Sequence, residues 1–102
     1  MSLLRLLERV MGEGLVWRDG APMGRLAYEL SRYGEFEVSH GQLELKGDVV
    51  EGHLHASPDV LDPLVGMAAP LTLALEDGRR CDLYVLNAEG AVTGSDTRGF
   101  YA

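Results

Sequence analysis

The sequence predicts a small all-β protein, an antiparallel meander barrel or sandwich of about seven to eight short strands, formed as a single domain over residues 1–102. Short runs that alternate apolar and polar residues recur between turn signals spaced about eight to twelve residues apart. The 13 glycines against four prolines suit a chain with many tight turns. The runs follow one another almost without interruption, and we favour a barrel because closure removes exposed strand edges.

The clearest hairpin lies between residues 70 and 86, which read PLTLALEDGRRCDLYVL. Two alternating runs flank an Asp-Gly pair, a strong hairpin signal. A two-residue turn at Asp77-Gly78 would place leucines opposite charged residues, whereas a three-residue loop, Glu76–Gly78, keeps apolar residues opposite one another. The predicted pairs are Leu73 with Cys81 and Leu71 with Leu83. The predicted buried face comprises Leu71, Leu73, Leu75, Cys81, Leu83 and Val85.

Residues 24–56 alternate in the same way. We expect turns at Tyr33-Gly34, His40-Gly41 and Gly47-Asp48. The predicted inward residues are Leu26, Tyr28, Leu30, Phe36, Val38, Val50, Leu54 and Ala56. The predicted cross-strand pairs are Val38 with Leu43, Phe36 with Leu45, and, through the last turn, Leu45 with Val50.

The beginning of the chain predicts a helix over about residues 2–12, because apolar residues recur there at helical spacing with charged residues on the other side. Ser2 is placed to cap this helix, and Gly12 or Gly14 to end it. A helix of about three turns is not stable alone, so its leucine stripe must pack on something. We expect it to dock on one end of the sheet structure, with a dimer contact as the alternative.

The only break in the meander follows the strand that Ser57-Pro58 ends. Asp62-Pro63 reads as a cap followed by a first-turn proline, which predicts one or two helical turns. The chain is expected to cross one end of the structure there. A final weak strand is expected between Ala91 and Tyr101.

The formal charge is −7, from nine basic and 16 acidic residues. This balance repels phosphate backbones and anionic membrane surfaces, so we expect neither nucleic-acid nor membrane binding. The single cysteine, Cys81, cannot form an internal disulfide and falls on the predicted buried face. Without a disulfide framework or a secretory leader, the sequence predicts a cytoplasmic protein.

The three histidines are the candidate metal ligands. His53 and His55 are two residues apart on a predicted strand, so they share its outer face. The predicted turn at Gly47-Asp48 brings His40 close to His55. Three imidazoles arranged in this way can bind zinc, nickel or copper. The alternative is three exposed histidines that bind nothing.

Catalysis has little support in the sequence. Cys81 has no histidine on its own strand pair, and its predicted burial does not favour a thiolate. No Gly-x-Ser-x-Gly elbow occurs, and the acidic residues are scattered over turns and outward positions.

We therefore predict a non-catalytic protein-interaction or regulatory module that binds a protein partner or a second copy of itself. The predicted interaction surface comprises Leu3, Leu4, Leu7, Met11, Tyr84 and Tyr101. A metal-binding module that uses His40, His53 and His55 is the alternative. A third interpretation is an enzyme whose site forms only across a dimer interface.

Overall fold

A computed structural model describes residues 2–102 of the chain. Its strands are β1 (Ser2–Arg18), β2 (Ala21–Ser39), β3 (Gln42–His55), β4 (Leu71–Ala74), β5 (Arg80–Val85) and β6 (Ala91–Gly94). A short helix, α1 (Pro58–Leu61), and a 3₁₀ turn (Asp62–Leu64) connect β3 to β4. All strand pairs are antiparallel, and the order β1-β2-β3-β6-β5-β4 closes on itself as a barrel.

The prediction of a mostly antiparallel β-sheet is confirmed, but the described residues form six strands and not seven to eight. Two of the predicted turns are wrong, because β2 continues through Tyr33-Gly34 and β3 continues through Gly47-Asp48. The glycines at both places lie at crowded positions. A Cβ on Gly34 would lie 3.0 Å from Leu7 Cδ1, and one on Gly47 would lie 2.8 Å from Thr97 Cβ.

The predicted N-terminal helix over residues 2–12 is also wrong, because these residues form the first part of β1. Leucine, arginine and glutamate favour helices in isolation, but pairing with a long neighbouring strand overrides such local preferences. β1 pairs with β2 from Ser2 opposite Glu37 to Arg18 opposite Ala21. An irregularity at Leu7 adds one residue to β1, and Gly12 and Gly14 lie within the strand instead of ending a helix.

The hairpin of β4 and β5 has the predicted register. Leu73 pairs with Cys81 and Leu71 pairs with Leu83. The Leu75 N–H donates to the Arg79 carbonyl oxygen at 2.8 Å, which leaves Glu76–Gly78 as the three-residue loop. The predicted β2–β3 turn at His40-Gly41 is present too, with Val38 opposite Leu43 and Phe36 opposite Leu45. The predicted pair of Leu45 with Val50 is absent, because β3 does not turn between them.

The core lies where β4, β5 and β6 cover the second half of β1, the first half of β2 and the end of β3. Its buried side chains come from every strand and from both short helical turns. They are Val16, Tyr28, Leu30, Val50, Leu54, Leu61, Leu64, Leu71, Leu73, Leu75, Cys81, Leu83, Val85 and Val92. Phe100 packs against the edge of this cluster. The first half of β1, the second half of β2 and the start of β3 extend beyond the core, and the molecule measures 49 × 27 × 21 Å.

Candidate functional site: an exposed three-stranded arm

The three long strands continue past the core as an arm, which we define as residues 2–8 of β1, 33–39 of β2 and 42–49 of β3. Within the described residues, β1 pairs with β4 only at Val16 and Trp17. β3 pairs with β6 only at residues 51–53. Apart from Asp48, whose N–H donates to the Thr97 carbonyl oxygen at 3.1 Å, both outer strands of the arm therefore keep an edge without a partner strand. No other strand covers the arm among residues 2–102.

The arm has an apolar face that continues the inward face of the core. β2 alternates regularly from Leu30, which is fully buried, to Phe36 and Val38, so these three side chains point to the same side. Residues directly opposite one another in an antiparallel pair also share a side. We name this surface the inner face, and Arg5, opposite Gly34, also lies on it. Its apolar residues are Leu3, Leu7, Phe36, Val38, Leu43 and Leu45.

The inner face is open to solvent where the core is closed. Leu43 and Leu45 are 50% and 54% exposed, although they have the same orientation as fully buried Val50 further along β3. Leu3 and Leu7 are also exposed, while Phe36 and Val38 are half-buried. The apolar pattern of the core thus extends onto a sheet that lacks a second layer.

The opposite surface of the arm, the outer face, mixes apolar and charged residues. Leu4 and Leu6 lie on it, exposed by 58% and 51%. Register places Glu35 beside Leu4, and Glu37 beside Glu44. Lys46 is the nearby cation, at 3.6 Å from Glu37 and 3.3 Å from Glu44. The carboxylates make this face net negative, unlike the inner face.

An ion network closes the barrel where the arm leaves it. The Arg79 guanidinium donates to both carboxylate oxygens of Glu8, at 2.7 and 3.0 Å. Arg32 donates to Glu8 at 2.9 Å and to Asp48 at 2.8 Å. Both guanidinium carbons lie over the Phe100 ring, at 5.1 Å for Arg79 and 6.0 Å for Arg32. The network thus fixes the base of the arm and holds Phe100 over the end of the core.

This network makes the stability of the protein sensitive to acid. The hydrogen bonds from Arg79, aided by Arg32 and opposed by burial, hold the pKa of Glu8 below its ordinary value of 4.5. Because the pKa is lower in the folded state, the stabilisation is complete above about pH 4.5 and is lost as the pH falls through the folded pKa. We expect Glu8→Gln to lower the free energy of unfolding by about 1 kcal/mol at pH 7, and by progressively less below pH 4.5.

Urea unfolding of the unmodified protein and of Glu8→Gln between pH 3 and pH 7 measures the difference in their free energies of unfolding. Glu44→Gln is the matched control, since Glu44 makes only an exposed ion pair with Lys46 and such pairs contribute little. A loss in Glu8→Gln that stays constant across the pH range would contradict the assignment of the effect to the ionised carboxylate.

The three histidines predicted as metal ligands are not brought together. His40 lies in the turn at the tip of the arm, whereas His53 and His55 lie at the far end of β3. The missing turn at Gly47-Asp48 is the reason, because the strand runs straight between them. His55 Nε2 lies 3.9 Å from a carboxylate oxygen of Glu29. Within residues 2–102 no group of three or more histidine, cysteine or acidic side chains is placed to hold a metal ion.

The predicted interaction residues do not form one surface, since they lie on both sides of β1 and on the barrel wall. Leu3 and Leu7 lie on the inner face of the arm, and Leu4 and Met11 lie on the opposite side of β1. Tyr84 is half-buried on β5.

Tyr101 lies on the barrel wall beside Arg80, with which it exchanges two backbone hydrogen bonds. Its hydroxyl donates to Asp82 at 2.6 Å, and the Arg98 guanidinium lies 4.2 Å from its ring centre. Burial, followed by the bond to Asp82, raises the pKa of this hydroxyl. Tyr101 is therefore held within the wall and is separate from the arm.

Cys81 is buried in the core, as predicted. Burial, with a smaller contribution from Asp82 and Asp96, raises the pKa of its thiol to about 12. The thiol is thus protonated and shielded at neutral pH, which does not suit a nucleophile.

The sequence reasoning missed the larger part of the inner face, because it assigned Phe36, Val38, Leu43 and Leu45 to the core. Their orientation was correct, but no β4–β6 residue covers them. The lengths of the alternating segments indicated that part of this face would be uncovered. The alternating segments around residues 71–75 and 81–85 are far shorter than the stretch from residue 24 to residue 56, so they could not cover all of it.

Comparison with known proteins adds no assignment. The search of family models, of curated proteins and of solved structures found no match to this chain. Among residues 2–102, no helix has the length and apolar character needed to cross a membrane.

Proposed function

We propose that this chain is a non-catalytic protein-interaction module that associates, first of all with its own copies, through the three-stranded arm. The observation that supports the proposal is the inner face, where the apolar alternation of the core continues onto a sheet that no strand in residues 2–102 covers.

The size of the exposed surface supports this role. The six apolar inner-face side chains together expose apolar surface on the order of 400 Å², and contiguous patches of this size on a monomer are often functional. Long, apolar strand edges are normally protected by charges, prolines or neighbouring structure. The edge of β1 in the arm carries only Arg5 and the irregularity at Leu7 as such protection. Association would cover these surfaces.

The charge distribution favours the inner face, over the rest of the molecular surface, as the place where two copies make contact. The chain carries a formal charge of −7, so two copies repel each other across most orientations. Arg5, opposite Gly34, is the charged residue on the same side of the arm, and the other inner-face residues are uncharged. Contact through this face therefore places the fewest carboxylates against one another. Their burial also supplies the favourable free energy that association requires.

The proposal predicts a concentration-dependent dimer that Leu45→Asp dissociates. A carboxylate in the centre of the inner face would have to be buried without a partner, which costs several kcal/mol. We expect light scattering with size-exclusion chromatography to show a dimer for the unmodified protein and a monomer for the variant at the same concentration.

Leu86→Asp is the matched control, because Leu86 is 55% exposed, almost the same as Leu45, but follows β5 on the barrel. This control should remain dimeric. An unmodified protein that is monomeric at every concentration, or a Leu45→Asp variant that stays dimeric, would contradict the proposal. Circular dichroism of each variant establishes that the fold is retained.

A further inference from the structure

The arm is one layer of a two-layer sheet arrangement whose second layer is missing. In the barrel half, β4, β5 and β6 cover the inward face of the long strands. In the arm half, no strand covers the same face among residues 2–102, and beyond the base, where Arg79 and Phe100 lie, it is open to solvent. Every strand of that region already has its place in the barrel. A second layer would therefore come from outside residues 2–102, and a second copy of the chain supplies one with a matching apolar face.

The two faces of the arm are not equivalent for a symmetric contact. A two-fold axis brings the same surface of both copies together. On the outer face this would place Glu35, Glu37 and Glu44 close to their own symmetry mates, with only Lys46 to offset them. The inner face brings leucine, valine and phenylalanine side chains together, as in the core of a β-sandwich.

The position of the barrel strands β4, β5 and β6 restricts the relative direction of the two arms. β4, β5 and β6 stand on the inner-face side at the base of each arm, where the core lies. If both arms pointed the same way, the two sets of short strands would occupy the same space between the sheets. With the arms antiparallel, the barrels lie at opposite ends and each arm tip reaches the base of its partner.

The area needed by a stable dimer favours the antiparallel arrangement as well. Specific interfaces bury about 800 Å² per partner, which is more than the apolar inner face alone supplies. In the antiparallel arrangement the polar tip, with Ser39, His40 and Gln42, also meets the charged base of the partner around Arg79 and Glu8. An apolar centre with a polar rim is the usual anatomy of an interface.

We propose that two copies stack the inner faces of their arms antiparallel, about a two-fold axis that crosses the strands near Phe36. The pairing residues Leu3, Phe36 and Leu45 form one row across the sheet, so each faces its own symmetry mate. Leu45 lies about 10 Å from its mate, the usual separation of stacked sheets. The two His40 residues lie about 27 Å apart along the strands, because His40 is four residues of about 3.4 Å each beyond Phe36 in both copies.

Single-cysteine variants and a short bis-maleimide with a span of about 10 Å test this arrangement, which rests on the proposed function. Each thiol adds across one maleimide double bond, so no oxidant is needed. The native Cys81 does not interfere, since it is buried and its thiol is protonated at neutral pH. The variants are Leu45→Cys on the inner face, His40→Cys at the tip and Leu4→Cys on the outer face.

We expect Leu45→Cys to run mostly as a covalent dimer on a denaturing gel, and the His40→Cys and Leu4→Cys variants to stay at the level of the unmodified protein. Leu3→Cys, in the same row as Leu45, is a second reporter that should also form the covalent dimer. Before cross-linking, light scattering must show that the Leu45→Cys and Leu3→Cys variants are still dimers.

Other cross-linking patterns overturn the arrangement. Covalent dimers of both Leu45→Cys and His40→Cys would show parallel arms, and covalent dimers of Leu4→Cys would show contact through the outer face or the β1 edge. A dimer that neither inner-face reporter cross-links would exclude inner-face stacking. Parallel arms overturn only the arrangement, because the contact is still through the inner face and Leu45→Asp still dissociates the dimer. A contact that avoids the inner face overturns the proposed function as well, and Leu45→Asp then stays dimeric. A monomer in the unmodified protein removes both proposals.

Discussion

Replacing Gly14 by alanine should destabilise the protein by about 3 kcal/mol, near the upper end of what overpacking typically costs. A Cβ at this position would lie 1.9 Å from the carbonyl oxygen of Ala74. That oxygen belongs to β4, which is hydrogen-bonded to β5 and closes the barrel against β1. The backbone cannot move away without opening this closure. Urea unfolding monitored by circular dichroism measures the loss.

Gly12→Ala is the matched control two residues earlier on the same strand. A Cβ there would lie 2.6 Å from the carboxyl carbon of Glu76 and 2.9 Å from the hydroxyl oxygen of Tyr28. The exposed Glu76 side chain can swing away, at the loss of its hydrogen bond from the Glu13 N–H. We expect a loss of about 1 kcal/mol, the low end of overpacking costs. Equal losses in the two variants would contradict the distinction between backbone and side-chain obstruction.

Leu83→Ala should lower the free energy of unfolding by about 2–5 kcal/mol, because the substitution leaves a cavity in the centre of the core. Leu83 is fully buried on β5, opposite Leu71 on β4. Neighbouring strands hold the surrounding side chains in place, so the cavity cannot collapse completely. Chemical unfolding gives the difference, and an unchanged slope with denaturant shows that only stability has changed.

Leu86→Ala is the control for this cavity, since Leu86 is 55% exposed three residues further along the chain. Substitution of exposed residues usually changes stability by less than about 0.5 kcal/mol. A loss in Leu86→Ala as large as in Leu83→Ala would mean that β5 does not present its residues to the core as described.

The parts of the fold that local sequence determines were predicted correctly. The β4–β5 register follows from parity, because only a three-residue loop keeps Leu73 opposite Cys81. The same parity gave the turn at His40-Gly41. The errors have a common origin in contacts that are distant in sequence. Gly34 and Gly47 resemble turn residues, but they are glycines because other side chains approach them closely in a continuous strand.

The N-terminal segment shows the same limit of local reasoning. Its leucines fit a helical stripe, and only the length of β2 that needs a partner makes them a strand. The candidate site was found in part for this reason. Leu3 and Leu7 were named as contact residues, whereas Phe36 and Leu45 were placed in the core. Alternation shows which side of a sheet a residue faces, but not whether a second layer covers that side.

The closure of the barrel through a short β1–β4 contact has a consequence for how the chain assembles during synthesis. β1, β2 and β3 are neighbours in sequence and are joined by two-residue turns, so the entropy lost in pairing them is small. Val16 can meet Leu73 only after Leu73 has left the ribosome, when β1, β2 and β3 are already outside it. We therefore expect the three-stranded meander to form first on the nascent chain, with the barrel closing last, so that chaperones encounter the uncovered leucines throughout translation.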